Sequence, residues 1–146
     1  MKCQNEEVRM KKEAGYAVVL VMLVFAVLGV DRAWAGDLPL VKPEELKKMI
    51  DEGRADMLVV DNQPQGAYEM GHIPGAVNFP WTTEIRSSGN LPRNKVLILY
   101  CACEHEEDAT DVANQLIKKF GYKEIKLLAG GWIQWVKLGY PTEKNR

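Results

Sequence analysis

The sequence predicts an α/β domain, in which a small doubly wound sheet of mainly parallel strands carries helices on both faces. Two segments, 57–61 (MLVVD) and 96–100 (VLILY), are nearly continuous apolar runs, the pattern of strands buried on both faces. A helical pattern follows the second run, with apolar residues at Val112, Leu116 and Phe120. Strands that alternate with helices are typical of a parallel sheet covered on both faces.

The first helix of this pattern is expected at residues 43–50. Pro43 suits the first helical position, acidic residues follow it in the first turn, and Gly53 suits the stop. Further short strands are expected at 76–79 and 123–128. These elements complete the predicted alternation.

A loop precedes the 96–100 strand, and a final helix follows the last strand. Residues 81–93 are polar and predict a surface loop. Trp132, Trp135 and Val136 share one face of a helix, and we expect this face to pack in the core.

The first 35 residues do not belong to the predicted fold. Arg9, Lys11 and Lys12 precede an uncharged run at 14–30, and a small-x-small tripeptide ends at Ala35. This layout is typical of an export signal cleaved after that residue. The run is long for a signal core and short for a membrane span, so an uncleaved N-terminal anchor is the alternative. Either way, residues 36–146 are expected to be exported, in a bacterium to the periplasm, with membrane contact only through an uncleaved N-terminal segment.

Composition excludes one class of function. The chain has 146 residues, enough for one domain, and its 47% hydrophobic content is typical of a globular protein. Its 19 Lys and Arg against 20 Asp and Glu give a net charge of −1. This balance gives no electrostatic basis for binding nucleic acid.

Cys101 stands where the predicted strand 96–100 gives way to a loop and then to a helix. Ligands of open α/β sheets bind at the carboxyl ends of the strands. Loop N–H groups and the positive end of a helix dipole favour an anion there, so a thiolate at Cys101 can act as a nucleophile. From position alone, a buried and inert cysteine is the alternative.

Two further polar residues lie at the end of a predicted strand or within a predicted turn. Asp61 ends the first buried strand, where it caps a turn or orients the active-site loop. His72 lies in the segment GHIPGAVN at 71–78, whose glycines and proline predict a fixed turn. No metal ligand is expected there, because His72 lacks partners at ligand spacing, and we expect a structural, hydrogen-bonded histidine.

Together these motifs resemble the rhodanese-like domain. The resemblance covers about 43–141 and rests on five features: Val60-Asp61, Tyr68, the 71–78 segment, the strand ending in Tyr100-Cys101, and LLAGGWIQW followed by GYP. It implies a doubly wound α/β fold with a central parallel sheet. It also implies a sulfurtransferase activity carried by Cys101.

The mechanism implied by the resemblance is a two-step transfer of sulfur. The Cys101 thiolate attacks the outer sulfur of a donor such as thiosulfate, and a persulfide forms as sulfite leaves. A thiol or a cyanide-like acceptor then takes the sulfur, and a protein in a sulfur relay is a further candidate partner. No metal or organic cofactor is implied. The active-site loop would contain Cys101, Ala102, Cys103, Glu104, His105, Glu106, Glu107 and Asp108.

Two features depart from the family pattern. Gln63 and Ala67 stand where family members usually carry Arg and Glu, which fits the joint loss of an ion pair. The loop after Cys101 is also about two residues longer than usual and acidic, with no Lys or Arg before Lys118. Its carboxylates would repel the thiosulfate dianion, or they complement the next helix N-terminus and point to solvent. The missing arginine argues against a phosphatase or arsenate reductase on this fold.

Cys103, two residues after Cys101, allows three interpretations. It resolves a persulfide or forms a disulfide with Cys101, it binds a soft metal with Cys101 and His105, or it is a bystander. His105 is expected to be an exposed loop residue. The leading prediction is therefore an exported sulfurtransferase, and the alternatives are a non-catalytic module that binds a partner or a soft metal, and a dithiol redox protein.

Overall fold

The structure, a computed structural model, describes residues 38–145. The predicted signal or anchor segment, residues 1–35, lies outside the described residues. No helix within 38–145 is long and apolar enough to cross a membrane.

Strands and helices alternate along the described chain. In order they are β1 (Leu40–Val41), α1 (Pro43–Asp51), β2 (Met57–Asp61), α2 (Gln65–Met70), β3 (Val77–Asn78), β4 (Val96–Tyr100), α3 (Glu107–Phe120), β5 (Ile125–Leu128) and α4 (Gly131–Lys137).

The strands form one sheet in the order β1-β5-β4-β2-β3, and every neighbouring pair is parallel. β4 is the middle strand, and its register places Tyr100 opposite Asp61 of β2. The carboxyl ends of β2 and β4 therefore lie side by side, with the Cys101 loop leaving from β4. The predicted α/β fold with a mainly parallel sheet is confirmed.

Both faces of the sheet are covered. Leu97 of β4 belongs to a buried cluster with Leu116 of α3. Ile98, the next residue of β4, belongs to a second buried cluster with Leu46 of α1 and Trp135 of α4. Because successive side chains of a strand point to opposite faces, two buried layers require the continuous apolar run of β4.

Three details of the sequence prediction need correction. Val136 is 48% exposed, whereas Trp135 is fully buried, because a helix of two turns lying on the sheet buries only one narrow stripe. The 81–93 segment is not wholly a surface loop, since Ile85 is buried and its N–H donates to the side-chain oxygen of Gln115 at 2.8 Å. The sequence pattern does not indicate α2, because this short helix has no buried residue to produce a periodic signal.

Candidate active site

Cys101 follows the last residue of β4 directly and is 1% exposed. It belongs to the cluster on the α3 face of the sheet, where Val60 and Ala109 are also buried. The N–H of Asn62 donates to the carbonyl of Tyr100 at 2.8 Å, which extends the pairing of β2 and β4 up to the cysteine. The thiol is thus fixed at the end of the middle strand.

The start of the Cys101 loop is bound to the turn that begins α4. The N–H of Trp132 donates to the carbonyl oxygen of Cys101 at 2.9 Å. Gly131 has a φ of +50°, and a Cβ added to it would lie 2.3 Å from the same oxygen. Only a residue without a side chain allows this approach, since real Cβ contacts are never that short.

The far end of the loop is bound to the same turn. Glu106 precedes α3 with a φ of 55°, in the left-handed region. Its carboxylate accepts a hydrogen bond from the N–H of Gly130. The six residues from Cys101 to Glu106 are therefore held at both ends by consecutive residues of one turn.

The acidic residues of the loop have different environments. Glu107 and Asp108 lie in the first turn of α3, where carboxylates interact favourably with the helix dipole. Glu106 is partly buried by its contact with Gly130. Between Cys101 and the first turn of α3, Ala102, Glu104 and His105 are exposed, while Cys103 and Glu106 are half-buried; of the two predicted loop residues that lie in α3, Glu107 is exposed and Asp108 is half-buried.

Cys103 lies beside Cys101, and neither forms a disulfide. Burial, together with the neighbouring Cys101 thiol, raises the pKa of the Cys103 thiol to about 12. Cys103 therefore stays protonated at neutral pH and can donate its S–H toward the neighbouring sulfur. This arrangement makes Cys103 a poor nucleophile and a good partner for an anion on Cys101.

The donor set for a soft metal is not assembled in the described structure. Within residues 38–145, no three His, Cys, Asp or Glu side chains are grouped so that they could hold a metal ion. His105 is exposed, and its backbone N–H donates to the carboxylate of Glu107 at 3.3 Å.

Comparison with known proteins decides the family. A model of the rhodanese-like domain matches residues 42–138. The chain belongs to the rhodanese-like domain family. Its resemblance in sequence extends to the thiosulfate sulfurtransferase of Pseudomonas aeruginosa, with 27% identity over 128 residues, covering 68% of this chain and 46% of that protein.

Two further relatives support the assignment. The sulfur carrier protein TtuD of Thermus thermophilus is 29% identical over 112 residues, covering 64% of this chain and 38% of that protein. The solution structure of the rhodanese-like domain of the Anabaena protein Alr3790 superposes with a TM-score of 0.63 at 27% identity, covering 73% of this chain and 79% of that domain. The matched part of this chain spans less than half the length of the Pseudomonas thiosulfate sulfurtransferase and of TtuD.

Asp61 of this rhodanese-like domain is fully buried and accepts three hydrogen bonds. The donors are the backbone N–H of Gln63 at 2.7 Å, its side-chain amide at 3.1 Å and the hydroxyl of Tyr100. The Tyr100 hydroxyl in turn accepts the N–H of Ile73 at 3.1 Å. Asp61 therefore caps a turn and also contacts the residue before Cys101, and Gln63 supplies donors where the resemblance places an arginine.

Burial favours the protonated forms of Asp61 and Tyr100. Burial raises the pKa of Asp61, and the hydrogen bonds from Tyr100 and Gln63 oppose this rise only in part. Burial and the nearby carboxylate raise the pKa of Tyr100, so its hydroxyl remains a donor.

Asp61→Asn is expected to change the pH dependence of stability. Above the ordinary carboxyl pKa of 3.8, the folded protein keeps the Asp61 proton longer than the unfolded chain does. Its contribution to stability therefore falls as pH rises through the raised pKa, by at most about 1.4 kcal/mol per pH unit. In urea unfolding from pH 4 upward, wild type should lose stability relative to Asp61→Asn. A constant difference between the two would contradict this account. Asp56→Asn is the control: Arg54 lowers the pKa of Asp56 below the ordinary value, so the stability difference between wild type and this variant should stay constant from pH 4 upward.

His72 is placed as a buried side chain within the fixed turn. Its Nδ1 lies 2.9 Å from the carbonyl oxygen of Tyr68, and its ring stacks on the Tyr68 ring at 3.9 Å between centroids. Its backbone N–H and carbonyl both pair with Glu143 at 2.9 Å. These contacts hold the C-terminal segment against the turn.

Sequence reasoning missed Asn62. This residue is buried, its side-chain amide donates to the carbonyl of Phe79 at 2.7 Å, and its carbonyl accepts the N–H of Trp81 at 3.0 Å. It joins the ends of β2 and β4 to the chain that leaves β3. No spacing in the sequence marks this role, because the partners lie 17 and more residues away.

Proposed function

We propose that this domain is a sulfurtransferase that carries sulfane sulfur as a persulfide on Cys101. The observation that carries the proposal is the position of Cys101 at the carboxyl end of the middle strand, at the start of a loop that is held at both ends. The sulfurtransferase and sulfur carrier among its relatives support it. Transfer of their activities to this chain is part of the proposal.

The first step forms a bond between two sulfur atoms. The Cys101 thiolate attacks the outer sulfur of thiosulfate, the bond between the two sulfurs of the donor breaks, and its electron pair leaves with sulfite. Charge is conserved, because a thiolate and a dianion become a persulfide anion and a dianion. The acceptor, a thiolate or cyanide, then attacks the outer sulfur of the persulfide and restores the Cys101 thiolate.

The loop offers hydrogen bonds to the anionic sulfur. Among the described residues, no acceptor takes the backbone N–H of Ala102, Cys103 or Glu104. Unpaired N–H groups in a tight loop stabilise a developing anion, as an oxyanion hole does. The protonated Cys103 thiol is a further donor beside Cys101.

Thiocyanate formation tests this function. The domain is incubated with cyanide and either thiosulfate or a polysulfide, and thiocyanate is measured over the uncatalysed rate. Catalysed formation with either donor supports the proposal, and the donor used faster identifies the preferred class. Absence of catalysis with both donors would contradict transfer to cyanide.

The acidic loop is proposed to disfavour thiosulfate. Glu104, in the loop, and Glu107, at the start of α3, are both exposed. Their two negative charges would repel a dianion that approaches Cys101. Removing both with Glu104→Gln and Glu107→Gln is expected to raise kcat/KM for thiosulfate roughly five- to tenfold at low salt. The gain should shrink as salt is added, because exposed charges are screened.

A neutral reagent provides the control for this double variant. The rate at which iodoacetamide alkylates Cys101 reports any change in the thiol itself, without an effect of donor charge. We expect the thiosulfate rate to rise relative to the alkylation rate. An equal change in both would show that the carboxylates act on Cys101 and not on the donor.

A dithiol redox function is the second candidate, and the proximity of Cys103 to Cys101 favours it. Oxidation would join the two sulfurs across a single residue, a strained ring that is readily reduced. Export to an oxidising compartment would make this disulfide state accessible, and such export is itself a proposal.

We also propose two properties of the whole chain. Residues 1–35 anchor it to a membrane if they are not cleaved, and its sulfur acceptor is a protein partner in a sulfur relay.

A further inference from the structure

Glu106 differs from the other acids of the loop in its backbone and in its contacts. Among residues 38–145, it is the one residue other than glycine with a positive φ. Such a conformation is unfavourable for a residue with a Cβ and persists where the surroundings hold it. The stabilising contact comes from Gly130, 24 residues further along the chain, whose N–H donates a hydrogen bond to the Glu106 carboxylate.

The position of this contact couples it to Cys101. Gly130, Gly131 and Trp132 are consecutive residues of the turn that begins α4. The middle glycine abuts the carbonyl oxygen of Cys101, and the N–H of Trp132 donates to it. The same turn therefore fixes the loop where it begins, at Cys101, and where it ends, at Glu106.

We propose that Glu106 is a positioning residue for sulfur transfer, which holds the Cys101 loop in its working conformation by binding the N–H of Gly130. The loop between the two attachments has unpaired N–H groups, so its conformation decides where they point. Without the carboxylate contact, the left-handed conformation at Glu106 loses its support, and the far end of the loop can rotate away. The effect on sulfur transfer rests on the proposed function.

The length and the acceptor atom of the side chain matter more than its charge. Glu106→Gln keeps a carbonyl oxygen at the same reach and removes the charge. Glu106→Asp keeps the charge but is one methylene shorter, and Glu106→Ala removes both features. Charge repulsion and loop positioning therefore predict different orders of sulfur-transfer activity among the three variants.

The test measures kcat/KM for thiocyanate formation and the alkylation rate of Cys101 by iodoacetamide in wild type and all three variants. We expect Glu106→Gln to stay within about threefold of wild type in kcat/KM. Glu106→Asp and Glu106→Ala should fall on the order of ten- to a hundredfold, because a misplaced reacting group costs that much. Thermal unfolding of each variant separates this loss from a loss of the fold.

Two outcomes would overturn the inference. Equal activities for Glu106→Gln and Glu106→Ala would show that the acceptor atom has no role, and higher activity in both would assign Glu106 to charge repulsion. If wild type transfers no sulfur, the proposed function fails by itself. The alkylation rates then still test the positioning, since Glu106→Ala should change the rate at Cys101 and Glu106→Gln should not.

Discussion

Cys101→Ser is expected to abolish sulfur transfer, with a loss of at least about a thousandfold in kcat/KM. A serine hydroxyl cannot form the persulfide, and Cys103, the other cysteine within residues 38–145, is a poor replacement. Burial and the contact with Cys101 raise the pKa of Cys103 to about 12, so its thiolate is scarce at neutral pH. The measurement is thiocyanate formation with the better of the two donors.

Cys103→Ser is the matched variant for this experiment. Serine retains a hydrogen-bond donor next to Cys101, so we expect activity to fall by no more than about tenfold. Equal and complete losses in Cys101→Ser and Cys103→Ser would instead favour a mechanism in which both thiols take part, as in a dithiol redox protein.

Gly131→Ala is expected to have the second largest effect, on stability as well as on activity. The new Cβ would lie 2.3 Å from the carbonyl oxygen of Cys101, so the loop or α4 must move and the hydrogen bond from Trp132 is strained. Strain and the lost contact together should lower the free energy of unfolding by about 3 kcal/mol. Displacement of Cys101 should lower kcat/KM about a hundredfold.

Gly139→Ala is the matched control, because it imposes the backbone penalty without the collision. Gly139 has a φ of +70°, and nothing lies within 4 Å of a Cβ added there. Its substitution should cost about 1 kcal/mol and leave kcat/KM unchanged. If Gly131→Ala behaves like Gly139→Ala in urea unfolding and in activity, the contact with Cys101 does not position the loop.

The parts of the fold that sequence could predict are those with a local pattern. The run Val96–Tyr100 must be apolar at every position because both faces of β4 are buried, and that leaves a readable signature. The position of Cys101 at a strand-to-loop boundary followed from the same run. The helix after it showed its buried stripe at Val112, Ala113 and Leu116.

The parts that sequence could not predict depend on contacts between distant residues. Nothing near Glu106 in the chain marks it as the acid that binds Gly130, since its neighbours Glu104 and Glu107 have the same chemistry. Likewise, the two amide donors of Gln63 around Asp61 become visible only when the turn is built. The exposure of Val136 depends on how α4 lies on the sheet, which a helical repeat of two turns does not determine.

The central claim is that Cys101 takes up one sulfur atom, and the intact mass of the protein tests it most directly. The reduced domain is incubated with thiosulfate, and separately with a polysulfide, beside Cys101→Ser. We predict a gain of one sulfur in wild type alone, lost again when cyanide is added. An unchanged mass with both donors, together with the loss of two hydrogens on mild oxidation, would contradict a persulfide carrier and support a Cys101–Cys103 dithiol.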